Sequence, residues 1–309
     1  MSPRVRYSRL PTEQRHPKSR DLDRLRIPGL LRLMHREDAS AVRAVSRSLP
    51  QIARAVGLIA RALRRGGRLF FIGAGTSGRL GVLEAAECPP TFSTDPSMVQ
   101  AIIAGGRDAV FRSREGAEDR AADARRIVER RLRAGDVAVG ITASGVTLFV
   151  AEALKAAARR GARTVLISAH PRAPIPAHLR IRLAVGPELL TGSTRLKAGT
   201  ATKLVLNMLT LGAMAQLGKT YGNLMVDMRP TSRKLQARAI GIIRSVAHTS
   251  ERTAATALAD ARGRVTLAIL MAAQGLTAAS ARRRLARADG SLWQALRVGR
   301  EHHAGAGPA

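Results

Sequence analysis

The stretch Leu69-Phe70-Phe71-Ile72-Gly73-Ala74-Gly75-Thr76-Ser77-Gly78-Arg79 decides the fold. Its first four residues are an unbroken apolar run, the mark of a strand covered on both faces. Glycines and hydroxyls then turn the chain into a helix predicted over Ser77–Glu87, stopping ahead of Pro89-Pro90. The alternation repeats downstream. Further strands are expected at Val99–Ala104, Val137–Ile141, Thr164–Ser168 and Ile181–Val185. Helices are expected from about Glu115 to Arg133 and over Thr147–Arg160 and Lys197–Leu217. Strands alternating with helices of this length build a parallel sheet with both faces covered, so the expected class is α/β. After Met228-Arg229-Pro230 the strand signals cease, and Ser232–Ala309 reads as helices broken at Gly275 and Asp289-Gly290, with a polar tail. Upstream, Met1–Leu49 is polar and turn-rich until a helical pattern begins near Leu30, and Thr12-Glu13-Gln14-Arg15-His16-Pro17 reads as an extended arm.

Composition narrows the function classes. With 309 residues, 45% hydrophobic and 24% charged, wholesale disorder is excluded. The single cysteine, Cys88, excludes a disulfide framework and a thiolate zinc site. No run approaches the roughly 20 apolar residues of a membrane-spanning helix; the best, around Leu204–Leu217, contains Asn207 and Gln216. The arginine-rich first 20 residues lack the apolar core of a secretory signal. A cytoplasmic protein without a membrane partner is expected. The net charge of +30, from 52 basic and 22 acidic residues, raises nucleic acid as a partner. Against it, the basic residues are almost all arginine and are spread along the chain. Aromatics at 3% leave few platforms for stacking bases. The arginine bias is read as that of a GC-rich coding sequence, and nucleic acid is not an expected partner.

Three loops at the carboxyl ends of strands combine glycine with hydroxyls. They are Gly73-Ala74-Gly75-Thr76-Ser77-Gly78-Arg79, Thr142-Ala143-Ser144-Gly145 and Thr191-Gly192-Ser193-Thr194-Arg195-Leu196-Lys197. Ser or Thr in such a loop often only caps a helix. Three converging on one sheet edge, where open α/β sheets bind ligands, make a phosphate pocket. The candidate binding residues are Gly75, Thr76, Ser77, Ser144, Thr147, Ser193 and Thr194, with Lys197 as a helper. The first loop also matches G-x-G-x-x-G, the dinucleotide fingerprint. The acid that would bind a ribose is missing, because the sequence after the second strand is Gly105-Gly106-Arg107. Arg107 keeps a 2′-phosphorylated dinucleotide open as an alternative.

Carboxylates supply the candidate chemistry. Glu84 and Glu87 share one helix face, and Glu115, Glu118 and Asp119 cluster at the predicted start of the next helix. Acids in a first helical turn are commonly placed there by the helix dipole alone. Two carboxylates aimed at a phosphosugar would instead form a general acid/base pair. The histidines show no metal-ligand spacing, and Cys88 beside two prolines reads as a packed thiol.

The chain resembles the sugar-isomerase (SIS) fold and, within it, the N-acetylmuramic acid 6-phosphate etherase family. The resemblance spans Thr12 to about Leu296. It rests on TEQRHPKSRDLDRL (12–25), GAGTSGRLGVLEAAECPPTF (73–92), REGAED (114–119), GPELLTGSTRLKAGTATKLVLNMLT (186–210) and YGNLMVDMRPTSRKLQ (221–236). It implies a three-layer parallel-sheet fold followed by a small helical bundle. The parts expected are an arm and helix over 1–54, the phosphosugar-binding domain over 55–222 and a helical region over 223–309. It also implies a cofactor-free lyase, paired as a homodimer, that acts on a phosphorylated amino sugar and releases D-lactate from C3. By motif position, the two acid/base glutamates fall on Glu87 and Glu118. The open-chain aldehyde acidifies the C2 proton, and the resemblance assigns its removal to Glu118 and the departing lactate and incoming water to Glu87.

The chain departs from the family in the second loop. The family pattern Ala-Ser-Gly-Arg-Thr-Pro-Tyr is here Ala143-Ser144-Gly145-Val146-Thr147-Leu148-Phe149. The same motifs also resemble a sugar-phosphate-sensing regulator, the glucokinase regulatory protein, which carries two such domains where this chain shows one.

Overall fold

Leu69–Gly73 forms β1, and all five of its residues are buried, as a central parallel strand requires. In the computed structural model, which describes residue 8 and residues 10–297, β1 lies inside a five-stranded sheet. The other strands are β2 (Val99–Ile103), β3 (Val137–Thr142), β4 (Arg163–Ser168) and β5 (Leu179–Arg182). The order is β2-β1-β3-β4-β5 and every pairing is parallel. The chain reverses direction across the sheet between β1 and β3, the switch point at whose carboxyl edge open α/β sheets bind ligands.

Helices cover the sheet where the sequence lets them come close. They are α1 (Ile27–Ser46), α2 (Leu49–Arg64), α3 (Gly75–Phe92), α4 (Ala121–Arg131), α5 (Leu148–Arg159) and α6 (Lys197–Gln216). A Cβ on Gly140 of β3 would lie 2.8 Å from both Val150 and Leu154 of α5, so glycine lets that helix settle against the strand. Phe70, Ile72, Phe149, Leu154 and Leu166 are among the large members of the core beneath α4 and α5. At the amino edge, buried Asp136 accepts from the Arg68 backbone at 3.0 Å, its guanidinium at 2.7 Å and the Arg133 backbone at 2.9 Å, tying the starts of β1 and β3 together.

The remaining helices are α7 (Arg233–Ala247), α8 (Glu251–Asp260), α9 (Val265–Gln274), α10 (Ala278–Arg287) and α11 (Leu292–Arg297). Ser232, Ser250 and Thr277 cap α7, α8 and α10 through their side-chain oxygens. α9 is nearly all apolar and is the buried centre of this bundle. Contacts divide the chain into Met1–Ala86 with Pro96–Gly212, and Glu87–Asp95 with Ala213–Ala309. The expected boundary after residue 54 falls within α2. Among the described residues no single helix is long and apolar enough to cross a membrane. The polar tail, with His302-His303, lies outside the described residues.

β5 lies at Leu179–Arg182, ahead of the expected Ile181–Val185, and three further elements differ from expectation. α3 begins at Gly75 and runs through Pro89-Pro90 to Phe92. Both prolines fall in the last turn, where each removes only one backbone bond. The segment before α4 is not its first turn: Ala117–Asp119 is a separate 3-10 turn, entered through Gly116 in the left-handed region at φ 70°. The Thr12–His16 segment is not a free arm. Thr12 and His16 are buried, the Thr12 carbonyl accepts from the Gly192 N–H at 3.0 Å, and the Ser19 hydroxyl donates to the Leu189 carbonyl at 2.7 Å.

Candidate active site

The parallel register places the first two hydroxyl loops at the carboxyl edge, on the two sides of the switch point between β1 and β3, and the third, after β5, leads into α6. In the first loop the glycines have separate duties. Gly75 opens α3 at φ 52°, where glycine is favoured. A Cβ on Gly73 would lie 2.7 Å from the Gly78 backbone nitrogen, and one on Gly78 would lie 2.5 Å from the Ile103 side chain. The spacing thus packs a strand, a turn and a helix without invoking a dinucleotide. Thr76 and Ser77 are half-buried at the start of α3, and among the described residues their hydroxyls make no hydrogen bond. That helix start offers N–H groups, a positive dipole end and two uncommitted hydroxyls.

The second loop is closed on itself. The Thr142 hydroxyl meets those of Thr147 at 2.8 Å and Ser144 at 3.4 Å, and it accepts from the Gly145 N–H at 3.1 Å. Ser144 also accepts from the Val146 N–H at 3.3 Å. Of the residues that depart from the family pattern, Phe149 is core, while Leu148 is 48% exposed.

The third loop leads into α6, and here the chain supplies its own anion. Buried Glu188 accepts from the Lys197 and Ala198 N–H groups at 3.0 and 2.9 Å, filling the α6 N-terminus. Burial pushes the Glu188 carboxyl up from its ordinary value; the two N–H groups and the Lys197 charge oppose this, and Asp38 adds to it. The Lys197 ammonium, only 3% exposed, does not reach the loop's open side: it donates to Glu37 at 2.8 Å, and His16 meets the same carboxylate oxygen at 3.1 Å. Burial would raise the Glu37 carboxyl, but the Lys197 hydrogen bond and charge, with His16, outweigh it and hold the group below its usual range. Ser193 and Thr194 remain half-buried, with no hydrogen bond from their hydroxyls among the described residues. The first and third loops are neighbours: a Cβ on Gly199 would come within 3.8 Å of the Thr76 methyl group.

The carboxylates separate into bound and unbound. Glu84 is 5% exposed and receives Lys203 at 2.5 Å as well as the Thr210 hydroxyl, which fixes α3 to α6. Glu87, one turn on, is exposed and makes no hydrogen bond or ion pair among the described residues. Glu118 is exposed and unpaired in the same sense. Its 3-10 turn stands on buried Ala117, whose side chain packs into the core with Phe149 and Val150 of α5. Sequence reading passed over Glu188, Glu37, His16 and Lys203. Glu188 lay inside the quoted Gly186-Pro187-Glu188 motif, but its partners depend on tertiary structure.

A doubly covered parallel sheet with uncommitted hydroxyls at its carboxyl edge defines an α/β protein built to bind a ligand at that edge. The family model for the glucokinase regulatory protein N-terminal SIS domain matches residues 51–158. The N-acetylmuramic acid 6-phosphate etherase of Synechocystis sp. is 51% identical over 92% of this chain and 94% of its own. That of Gloeobacter violaceus is 54% identical over 93% and 95%. Among solved structures, a protein of Bacteroides fragilis described as a phosphosugar isomerase involved in capsule formation overlays with a TM-score of 0.47 at 18% identity, covering 60% of this chain and 91% of that one. The chain belongs to the N-acetylmuramic acid 6-phosphate etherase family.

Proposed function

We propose that this enzyme is a carbon–oxygen lyase that converts N-acetylmuramic acid 6-phosphate and water to N-acetylglucosamine 6-phosphate and D-lactate. The observation that carries the reading is the identity of about half the residues along nearly the whole length of curated etherases. The open α3 N-terminus supports it, because a phosphomonoester needs such a seat. In this reading the phosphate lies against the Gly75, Thr76 and Ser77 start of α3, with Ser193 and Thr194 beside it. Ser144 and Thr147 would exchange their hydrogen bonds to the Thr142 hydroxyl for sugar hydroxyls. Lys197 acts at one remove, holding the third loop through Glu37.

The chemistry divides between two carboxyl groups. Glu118 takes the C2 proton, whose acidity comes from the adjacent aldehyde of the open-chain sugar. The C3–oxygen bond breaks, and the lactate oxygen leaves with a proton from Glu87. Water then adds at C3 and returns a proton to Glu87, while C2 recovers its proton from Glu118. Atoms and charges balance, both carboxyl groups end as they began, and each contributes roughly 10²–10⁴-fold. The exposure of Glu87 and Glu118 supports these roles, since neither is committed to another protein group among the described residues.

The test is incubation of purified protein with N-acetylmuramic acid 6-phosphate and detection of D-lactate; no lactate would refute the assignment. We also read the protein as a cytoplasmic homodimer. The support for pairing is apolar surface left on α6, where Leu211 is 55% exposed. A monomer by light scattering would refute the pairing.

A further inference from the structure

At the amino edge of the sheet, opposite the loops described above, lies a cavity of about 1080 Å³. Arg54, Arg61 and Arg65 line it from one face and the end of α2, Arg133 from the turn before β3, and Arg163 from the first position of β4. The spacing of 54, 61 and 65 puts three guanidinium groups on one helical stripe. The floor is backbone. Gly66 and Gly135 lie there at φ 77° and 87°, and a Cβ on either would meet nothing within 4 Å, so both face open space.

Nothing among the described residues answers this charge. None of the described residues lining the cavity is Asp or Glu. Among the described residues none of the five arginines pairs with a carboxylate. Asp136, at the head of β3, is fully buried and committed to Arg68 and the Arg133 backbone. The guanidinium groups that find a neighbour lie along the wall: Arg133 reaches the Gly66 carbonyl at 3.5 Å, and Arg61 folds back over Gly57. Five like charges around one cavity repel one another until an anion enters. Arginine presents a planar fork that pairs with phosphate oxygens two at a time. One phosphoryl group cannot use five such forks, whereas a chain of them can.

We propose that this cavity binds a short polyphosphate chain, free or as the tail of a nucleotide, at a site separate from the phosphosugar loops. The experiment measures binding of inorganic tripolyphosphate to the full-length protein by calorimetry, at about 0.15 M ionic strength to screen diffuse attraction. A cavity variant, Arg61→Ser with Arg65→Ser and Arg163→Ser, is compared with a control that loses the same charge from exposed positions in the C-terminal helices. That control is Arg238→Ser with Arg252→Ser and Arg282→Ser. Tripolyphosphate should bind the parent with one-to-one stoichiometry and raise its melting temperature. The cavity variant should lose roughly tenfold or more in affinity, and the control should stay close to the parent. ATP separates the sources: tighter binding than tripolyphosphate with the same dependence assigns a nucleotide tail, and equal or weaker binding assigns the free chain. Absence of tripolyphosphate binding, or equal losses in both variants, would overturn the proposal. Single-stranded RNA that binds through the cavity arginines while tripolyphosphate does not would overturn it too.

Discussion

Of the helices that begin at the carboxyl edge of the sheet, α3 and α6 have N-termini finished in opposite ways. α6 starts on Glu188, whose carboxylate takes the first two N–H groups, and the adjoining Lys197 is sealed by Glu37 and His16. α3 starts on Gly75 and keeps Thr76 and Ser77 uncommitted among the described residues. A helix N-terminus favours negative charge wherever that charge comes from. Where the chain supplies its own carboxylate, the terminus is architecture. Where it supplies none, the terminus is left to a ligand, which is why the phosphate is assigned to α3.

The contrast can be broken most forcefully at α6. Lys197→Met leaves Glu37 largely buried beside His16 without its ammonium partner, at a cost of about 3 kcal/mol in denaturant unfolding. Glu188→Ala strands two N–H groups at a buried terminus and should cost about 2 kcal/mol. If both variants unfold at the parental denaturant concentration, α6 is not held as described. At α3 the balance reverses. Ser77→Ala should leave stability within about 0.5 kcal/mol but weaken substrate binding roughly tenfold, read from KM. Ser193→Ala should weaken it less, by about threefold, because that terminus already holds a carboxylate. Unchanged KM in both serine variants would move the phosphate elsewhere.

The smallest effect is a pH dependence. The folded Glu188 carboxyl sits above its ordinary 4.5, so its contribution to stability is fully present below that pH and is lost as pH rises through the folded value. Glu37 has the opposite sign: held below 4.5, it stabilises above that pH and fails as pH falls through its folded value. Glu188→Gln should therefore gain stability relative to the parent as pH rises through the window just above 4.5. Parallel stability curves for the two proteins would contradict the shift.

The carboxyl-edge loops were legible in the sequence because local rules produce them. An apolar run, a glycine needing φ 52° and hydroxyls at a helix start are all contained in Leu69–Arg79. The Thr142–Thr147 loop likewise closes within six residues. What holds α6 was not legible, since His16, Glu37, Glu188 and Lys197 come from segments separated by up to 181 positions, and no local pattern pairs them. The arm was misread for the same reason: Thr12-Glu13-Gln14-Arg15-His16 is polar, yet the burial of Thr12 and His16 is decided by Gly192 and Glu37. The prolines misled in the other direction. Their rule forbids a helix interior, but Pro89 and Pro90 occupy a last turn.

The division of labour between Glu118 and Glu87 is tested most directly by carbon-bound proton exchange. N-acetylglucosamine 6-phosphate is incubated with enzyme in deuterated water, and loss of the C2 proton is followed by NMR. The parent should exchange it. Glu118→Gln should exchange at least about 10²-fold more slowly. Glu87→Gln should retain exchange while failing to release D-lactate from N-acetylmuramic acid 6-phosphate. Parental rates of exchange and lactate release in both amide variants would contradict the account, leaving both glutamates as ordinary exposed charges.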